Sequence, residues 1–249
     1  MKRKKRGLPL QDDKMRLQLF LAKCGVASRR ACEKIILDGR VSVNGEIISI
    51  LGTKVYTNDK ILVDGKQVEI EAKKRYILLN KPAGYVCSMA DEKGRLIAAD
   101  LLKDTYSERL YNVGRLDMYS TGLIIFTNDG QFASTLSHPS AEIEKEYEVE
   151  SSLPLPRDLA EKFCSGLRID DIFYRAKFAK EINSHKIRIT LIEGKNREIR
   201  RVFEHLGIGI RKLQRIRIGN ITIDSLKESQ FRELTAQEIK GLMNLCKTN

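Results

Sequence analysis

Apolar residues recur at helical spacing near the start of the chain: Leu17, Phe20, Leu21 and Cys24 fall at i, i+3, i+4 and i+7, and Gly25 ends the run. A second helix follows Ser28, with Ala31, Cys32, Ile35 and Ile36 on its apolar face and Gly39 at its close. The period then changes to that of strands. Residues 41–43 and 46–48 flank Asn44-Gly45, the dipeptide of a type I′ hairpin, and 61–63 run into a turn at Asp64-Gly65. This pattern predicts a compact helix-helix-hairpin module over 15–70. Ahead of it, residues 1–14 hold Lys2, Arg3, Lys4, Lys5 and Arg6 without periodic apolar positions and read as a disordered basic tail; residues 71–75 read as a polar linker.

From residue 76 the elements are mixed. Strands are expected at 76–80, 110–116, 122–127, 145–150, 186–192 and 212–223, and helices at 131–137, 157–165 and 197–206. A final helix begins at a capping box, Thr235 with Glu238, and sets Ile239, Leu242, Met243 and Cys246 on one face. That order predicts an α+β chain: the small module, then a larger mixed-sheet domain over 76–249.

Composition narrows the chemistry. The 249 residues are 42% hydrophobic, enough for real cores, yet no apolar run approaches the ~20 residues of a membrane span. The basic N-terminus lacks the apolar segment of a secretory signal, so a cytoplasmic protein is expected. Five scattered cysteines and three distant histidines give no metal-ligand or disulfide spacing, and no glycine loop suggests a nucleotide cofactor. Neither metal nor cofactor is expected, and chemistry must rest on carboxylates, Tyr and Arg. A net charge of +12 points to a polyanionic partner, nucleic acid first. A membrane surface is disfavoured, since Trp is absent and no long amphipathic helix is present.

Residues 114–130, GRLDMYSTGLIIFTNDG, set one carboxylate, Asp117, between a strand tip and a buried strand that ends at the turn Asn128-Asp129-Gly130. By itself this fits either a catalytic acid or an Asx-turn residue bonding its own backbone. The segment resembles the central motif of the ribosomal RNA pseudouridine synthases, of the A type in the small subunit or the B type in the large one, and the resemblance implies that Asp117 is the nucleophile. LSHPSAEIEKEYEVE, 136–150, is similar to the second motif and implies that Tyr147 stacks on the target base, although alone it reads as a half-buried strand tyrosine. LIEGKNREIRRVFEHLG, 191–207, is similar to the third. There Ile199, Val202, Phe203 and Leu206 form a buried helical stripe with Arg200 on its margin, able to reach inward. The family alignment makes Arg200 the basic partner of Asp117, holding the carboxylate ionised, with Arg197 and Arg201 as phosphate contacts or ordinary surface residues. Arg115, beside the nucleophile, is expected to help hold the flipped nucleotide.

RLQLFLAKCGVASRRACEKIILDGRVSVNGEII, 16–48, resembles the small RNA-binding domain first known from a small-subunit ribosomal protein. The resemblance implies RNA contacts by Arg29, Arg30, Lys34, Arg40 and Asn44; a charged row on a helix otherwise reads as a solvated face. Two departures from the synthase pattern stand out. The loop after Asp117 reads Met-Tyr-Ser-Thr where relatives often carry an acid, and 165–185 is short for the family. NREIRR lies closer to the large-subunit branch.

Together these implications predict a monomeric isomerase that converts one uridine of ribosomal RNA, free or in a ribosome-assembly intermediate, to pseudouridine, preferentially in the large subunit. The alternatives are a small-subunit synthase, a non-catalytic RNA-binding assembly factor, and a hydrolase using Asp117 on a sugar. The last needs an acid partner, for which Glu146 and Glu148 read as too exposed.

Overall fold

In the computed structural model, which describes residues 14–246, the chain divides between Lys74 and Arg75 into two units. Of the basic stretch 1–14, all but Lys14 lies outside the described residues.

In the first unit β1 (Met15–Arg16) leads into α1 (Leu17–Lys23) and then α2 (Arg29–Leu37). Ser28 caps α2, its hydroxyl oxygen accepting from the Ala31 N–H at 3.2 Å. β2 (Val41–Val43) and β3 (Glu46–Ile48) form the hairpin, with Asn44 at φ 53° and Gly45 at φ 93°, the left-handed pair that a type I′ turn requires. β4 (Lys54–Val55) pairs with β1, β5 (Ile61–Val63) with β2, and β6 (Lys66–Gln67) with β5. Leu17, Phe20, Leu21, Cys32, Ile36, Val41, Val55 and Ile61 are buried together. Each such side chain contributes about 1.5–3 kcal/mol by leaving water, less for Cys. Ala31, expected on the apolar face, is exposed. The buried face centres on Cys32 and Ile36, one turn apart, and Ala31 lies about 100° round the helix from Cys32.

The second unit opens at Arg75, which composition had placed in the linker but which pairs with Glu108 at 2.7 Å and Glu233 at 2.8 Å. There follow β7 (Tyr76–Lys81), β8 (Tyr111–Val113), β9 (Thr121–Thr127), α3 (Gly130–Ser137), β10 (Lys145–Ser151), α4 (Leu159–Ser165), β11 (Leu167–Ile169), β12 (Ile172–Tyr174), β13 (Phe178–Asn183), β14 (Lys186–Leu191), α5 (Glu198–His205), β15 (Ile210–Ile218), β16 (Ile221–Thr222), β17 (Phe231–Glu233) and α6 (Ala236–Leu245). The main sheet runs β13-β14-β10-β15-β9-β7-β17, with β16 added on β15 and β8 on β9. Its one parallel pairing is β9 with β15, over Thr121–Gln214 and Gly122–Arg215. β9 therefore shares one edge between β15 at its start and β8 at its end, while β7 covers the other.

Alternation along β7 and β9 sends their side chains into two cores. Leu78, Leu123 and Ile125 pack with α3 and α6, whereas Ile77, Leu79, Ile124 and Phe126 pack with the 3-10 turn at Ala98–Leu102. A third core gathers Val149, Ile187, Ile189 and Leu213 with α4 and α5, and Tyr147 touches both it and the Ile77 core. That junction is where the cleft lies.

Three local expectations change. The strand expected over 212–223 is broken by Gly219 at φ 53°, where the chain turns back as β16. The segment 165–185, read without strands, forms the β11–β12 hairpin and β13, because exposed Ile172, Phe173, Phe178 and Ile182 spoil the polar–apolar alternation that would have marked them. β17 is only three residues on a sheet edge, too short to leave a period. The capping box at Thr235 and Glu238 is present, with Leu242 buried beneath α6.

Candidate active site

A cavity of about 970 Å³ opens in the second unit, at the top of the ~300–1,000 Å³ range of small-ligand sites. Asp117, Tyr147 and Arg200, 83 residues apart at the extremes of the chain segment that carries them, all line it. Asp117 stands on the loop between β8 and β9. Its backbone carbonyl accepts from the Ser120 N–H at 3.0 Å, so the turn is closed by main chain and the carboxylate is left for the cleft. Arg200, in the first turn of α5, sets Nε 3.5 Å from Asp117 Oδ2 and donates from Nη2 to Ser120 Oγ at 3.0 Å. One guanidinium thus holds both ends of the Asp117–Ser120 turn. Burial pushes the Arg200 pKa down, and the neighbouring Asp117 opposes that shift.

The loop is pinned from beneath by Lys81, which sequence reasoning did not single out. Lys81 is fully buried at the end of β7, and its Nζ donates to the carbonyls of Pro82 at 2.7 Å, Tyr85 at 2.9 Å and Met118 at 3.2 Å. Three acceptors match the three donors of an ammonium, which offsets the desolvation that lowers its pKa. The Leu116 N–H adds a contact to Cys87 Sγ at 3.4 Å.

Two more cations face the cleft from the sheet. Arg215 is 3% exposed, opposite Tyr147 on β10, and its Nε donates to the Leu123 carbonyl at 2.6 Å. Lys145, two residues before Tyr147, donates to the carbonyls of Ile143 and Ile192; burial first, then Arg215, lowers it to about 8. A register shift between Glu146 and Tyr147 sends Arg215 and Arg217 to opposite faces, and Arg217 pairs with Glu146 at 2.8 Å. Glu146 is therefore not exposed, as the sequence suggested, but paired and 22% accessible; it does not line the cleft. Glu198 does line it, but its carboxylate accepts from the Lys195 N–H at 3.2 Å and fastens the loop before α5. Burial pushes its pKa up.

Arg115 and Arg197 are exposed on the rim of the same cavity, whereas Arg201 is half-buried and lies off it. In the first unit Arg29, Arg30 and Lys34 are exposed on α2. Arg40 is engaged with Asp64, Nε to Oδ1 at 2.8 Å and Nη2 to Oδ2 at 2.5 Å. The Asn44 amide donates to Asp59 Oδ1 at 3.0 Å and accepts from the Lys60 N–H at 2.9 Å, tying the hairpin to its neighbouring loop. Among the described residues no group of His, Cys, Asp and Glu could hold a metal ion, and no helix is long and apolar enough to cross a membrane.

Comparison with known proteins matches residues 75–205 to the RNA pseudouridylate synthase family and residues 15–61 to the S4 domain. The chain is 42% identical over 232 residues to an uncharacterized RNA pseudouridine synthase of Borreliella burgdorferi, covering 91% of this chain and 92% of that one. It is 39% identical over 236 residues to the ribosomal large subunit pseudouridine synthase B of Bacillus subtilis, covering 92% and 96%. A crystal structure of a pseudouridylate synthase superimposes with a TM-score of 0.67 at 28% identity, over 92% of this chain and 99% of the other.

Proposed function

The chain belongs to the RNA pseudouridylate synthase family, and from that premise we propose that it converts one uridine of large-subunit ribosomal RNA to pseudouridine with Asp117 as nucleophile. The observation that supports this most is the meeting of Asp117, Tyr147 and Arg200 in one cleft, with the guanidinium 3.5 Å from the carboxylate. The large-subunit target rests on the Bacillus subtilis relative.

The target uridine leaves its stack and enters the cleft, its base lying against Tyr147. Asp117 attacks the nucleotide, the bond between ribose C1′ and uracil N1 breaks, and the base turns. C5 then bonds to C1′, the bond to Asp117 breaks and restores the carboxylate, the C5 proton passes to water, and N1 takes up a proton. Every atom is conserved, so the balance needs neither oxidant nor reductant. Arg200 pairs with the carboxylate and fixes its turn through Ser120, while Arg115 and Arg197 meet the phosphates at the rim. The enzyme acts as a monomer in the cytoplasm, on ribosomal RNA free or within a partly assembled ribosome.

The test is tritium release from transcripts labelled at uridine C5. Release from large-subunit RNA is expected; release from small-subunit RNA alone would overturn the target, and none from either would overturn the activity.

The S4 domain supplies a second handle. Changing Arg29 and Arg30 to Ala removes two phosphate contacts and is expected to flatten the plot of log affinity against log salt by about 1.4–1.8 in slope. Filter binding between low and moderate salt measures it. A slope equal to that of the unaltered protein would remove α2 from the RNA interface.

A further inference from the structure

The chain from Phe173 to Lys177 alternates strictly in burial. Tyr174 and Ala176 are each 1% exposed in the core, whereas Phe173, Arg175 and Lys177 are exposed, and all three line the cavity that holds Asp117. Because Tyr174 and Ala176 are locked inward, the other three side chains are locked outward onto the cleft. Phe173 keeps 45% of its surface exposed beside two cations. The tip of the ring is seated on Gly166, where a Cβ would come within 2.1 Å of Cζ. A bare backbone beneath the ring fixes its position without covering the rest of it.

The two cations keep donors to spare. Arg175 uses Nε on the Cys164 carbonyl at 3.1 Å, which leaves its Nη groups. Lys177 pairs with Glu144 at 2.6 Å through one of the three donors of its ammonium, and it remains exposed. The Arg175 backbone N–H bonds the Glu198 carboxylate, which ties this segment to the loop that opens α5.

Position separates the segment from the chemistry. The Lys177 N–H bonds Thr190 of β14 at 2.9 Å, which puts it at the β13 edge of the sheet. Asp117 precedes β9, four strand spacings away, or about 19 Å. A flipped uridine at Asp117 does not reach that far; the strand that carries it does.

We propose that Phe173, Arg175 and Lys177 form a rail for single-stranded RNA, with Phe173 stacking on one unpaired base near the target uridine and the two cations on adjoining phosphates. An aromatic ring interleaved with cations along a groove is the chemistry of single-strand binding. The inference rests on the RNA-modifying reading above and adds to it a subsite outside the reacting nucleotide.

The test uses the full chain and a ribosomal RNA fragment that the unaltered enzyme modifies, together with versions in which each flanking nucleotide is made abasic in turn. Phe173→Ala should raise KM by ~5- to ~160-fold, the range of one lost base stack, with kcat within about twofold. Phe173→Trp should restore KM. At one abasic position the unaltered enzyme should show the raised KM, and Phe173→Ala should add nothing further. Phe178→Ala, 55% exposed but off the cavity, should change neither constant. An unchanged KM in Phe173→Ala, or a rise that Trp does not rescue and that adds equally to every abasic substrate, would overturn the rail. Filter binding of single-stranded ribosomal RNA fragments, which needs no turnover, keeps the two ideas separate: Phe173-dependent binding without tritium release from any of them would count against the isomerase reading and for the rail.

Discussion

Asp117→Asn is expected to lower single-turnover tritium release by at least about 10⁴-fold, the scale on which an enzyme loses its nucleophile, while RNA affinity stays within about threefold. The reason is local. The amide keeps the size of the carboxylate but cannot form a covalent bond to the nucleotide, and the turn that presents it is closed by the backbone carbonyl of residue 117, which the substitution leaves in place. Arg200 retains its 3.0 Å bond to Ser120 Oγ and so has a partner in the variant. In the proposed assignment binding rests on other surfaces, the exposed arginines of α2 and the cleft rim. Rapid-quench measurement with enzyme in excess isolates the chemical step, and circular dichroism checks that the variant is folded. A variant that retains a tenth of the activity would show that the covalent bond is made elsewhere.

Gly122→Ala is expected to cost at least about 4 kcal/mol, the level at which a single change marks a specific structural conflict. Two causes coincide. Gly122 has φ +104°, outside the range that L side chains adopt readily, and a Cβ there would lie 2.2 Å from the Arg215 carbonyl oxygen and 2.5 Å from its nitrogen. Those are backbone atoms of the paired strand, so relief requires moving β9 from β15 and breaking the two-residue parallel ladder. The melting temperature should fall by about 8–16 °C at ~2–4 °C per kcal/mol, or the chain should fail to fold. Gly130→Ala, in the first turn of α3 where the nearest contact to a new Cβ is Tyr111 Oη at 3.4 Å, should stay within about 1 kcal/mol. Thermal scans of both variants decide the matter, and a Gly122→Ala protein as stable as Gly130→Ala would mean that the seam yields easily.

Much of this was legible in the residues because the informative interactions are short-range. Asn44-Gly45, Ser28 and the Thr235–Glu238 pair each announce a local geometry that the chain adopts within four residues. The stripe Ile199, Val202 and Phe203 fixed the inward side of α5, and with it the reach of Arg200. Lys81 and Arg215 escaped notice for the opposite reason. A cation at the end of an apolar strand ordinarily marks the place where the strand meets water. Lys81 is instead buried because its carbonyl acceptors include Met118, 37 positions away, and Arg215 because a strand 92 positions away offers the Leu123 carbonyl. The Phe173 segment was missed because its exposed ring broke the alternation from which strands are read.

The parallel pairing of β9 with β15 also has a consequence in time. During synthesis at about 5–20 residues per second, residues such as Leu123 are made some 5–20 s before Arg215, 92 positions later. Throughout that interval β9, whose central residues Leu123 to Phe126 are all apolar, has an edge with no neighbour at its start, the kind of edge that invites pairing with another chain. Contacts of such long sequence separation also form late in folding. The nascent chain therefore passes through a stage when the Asp117 loop exists but the cleft it lines does not, and its escape from aggregation depends on how quickly the last third of the chain arrives.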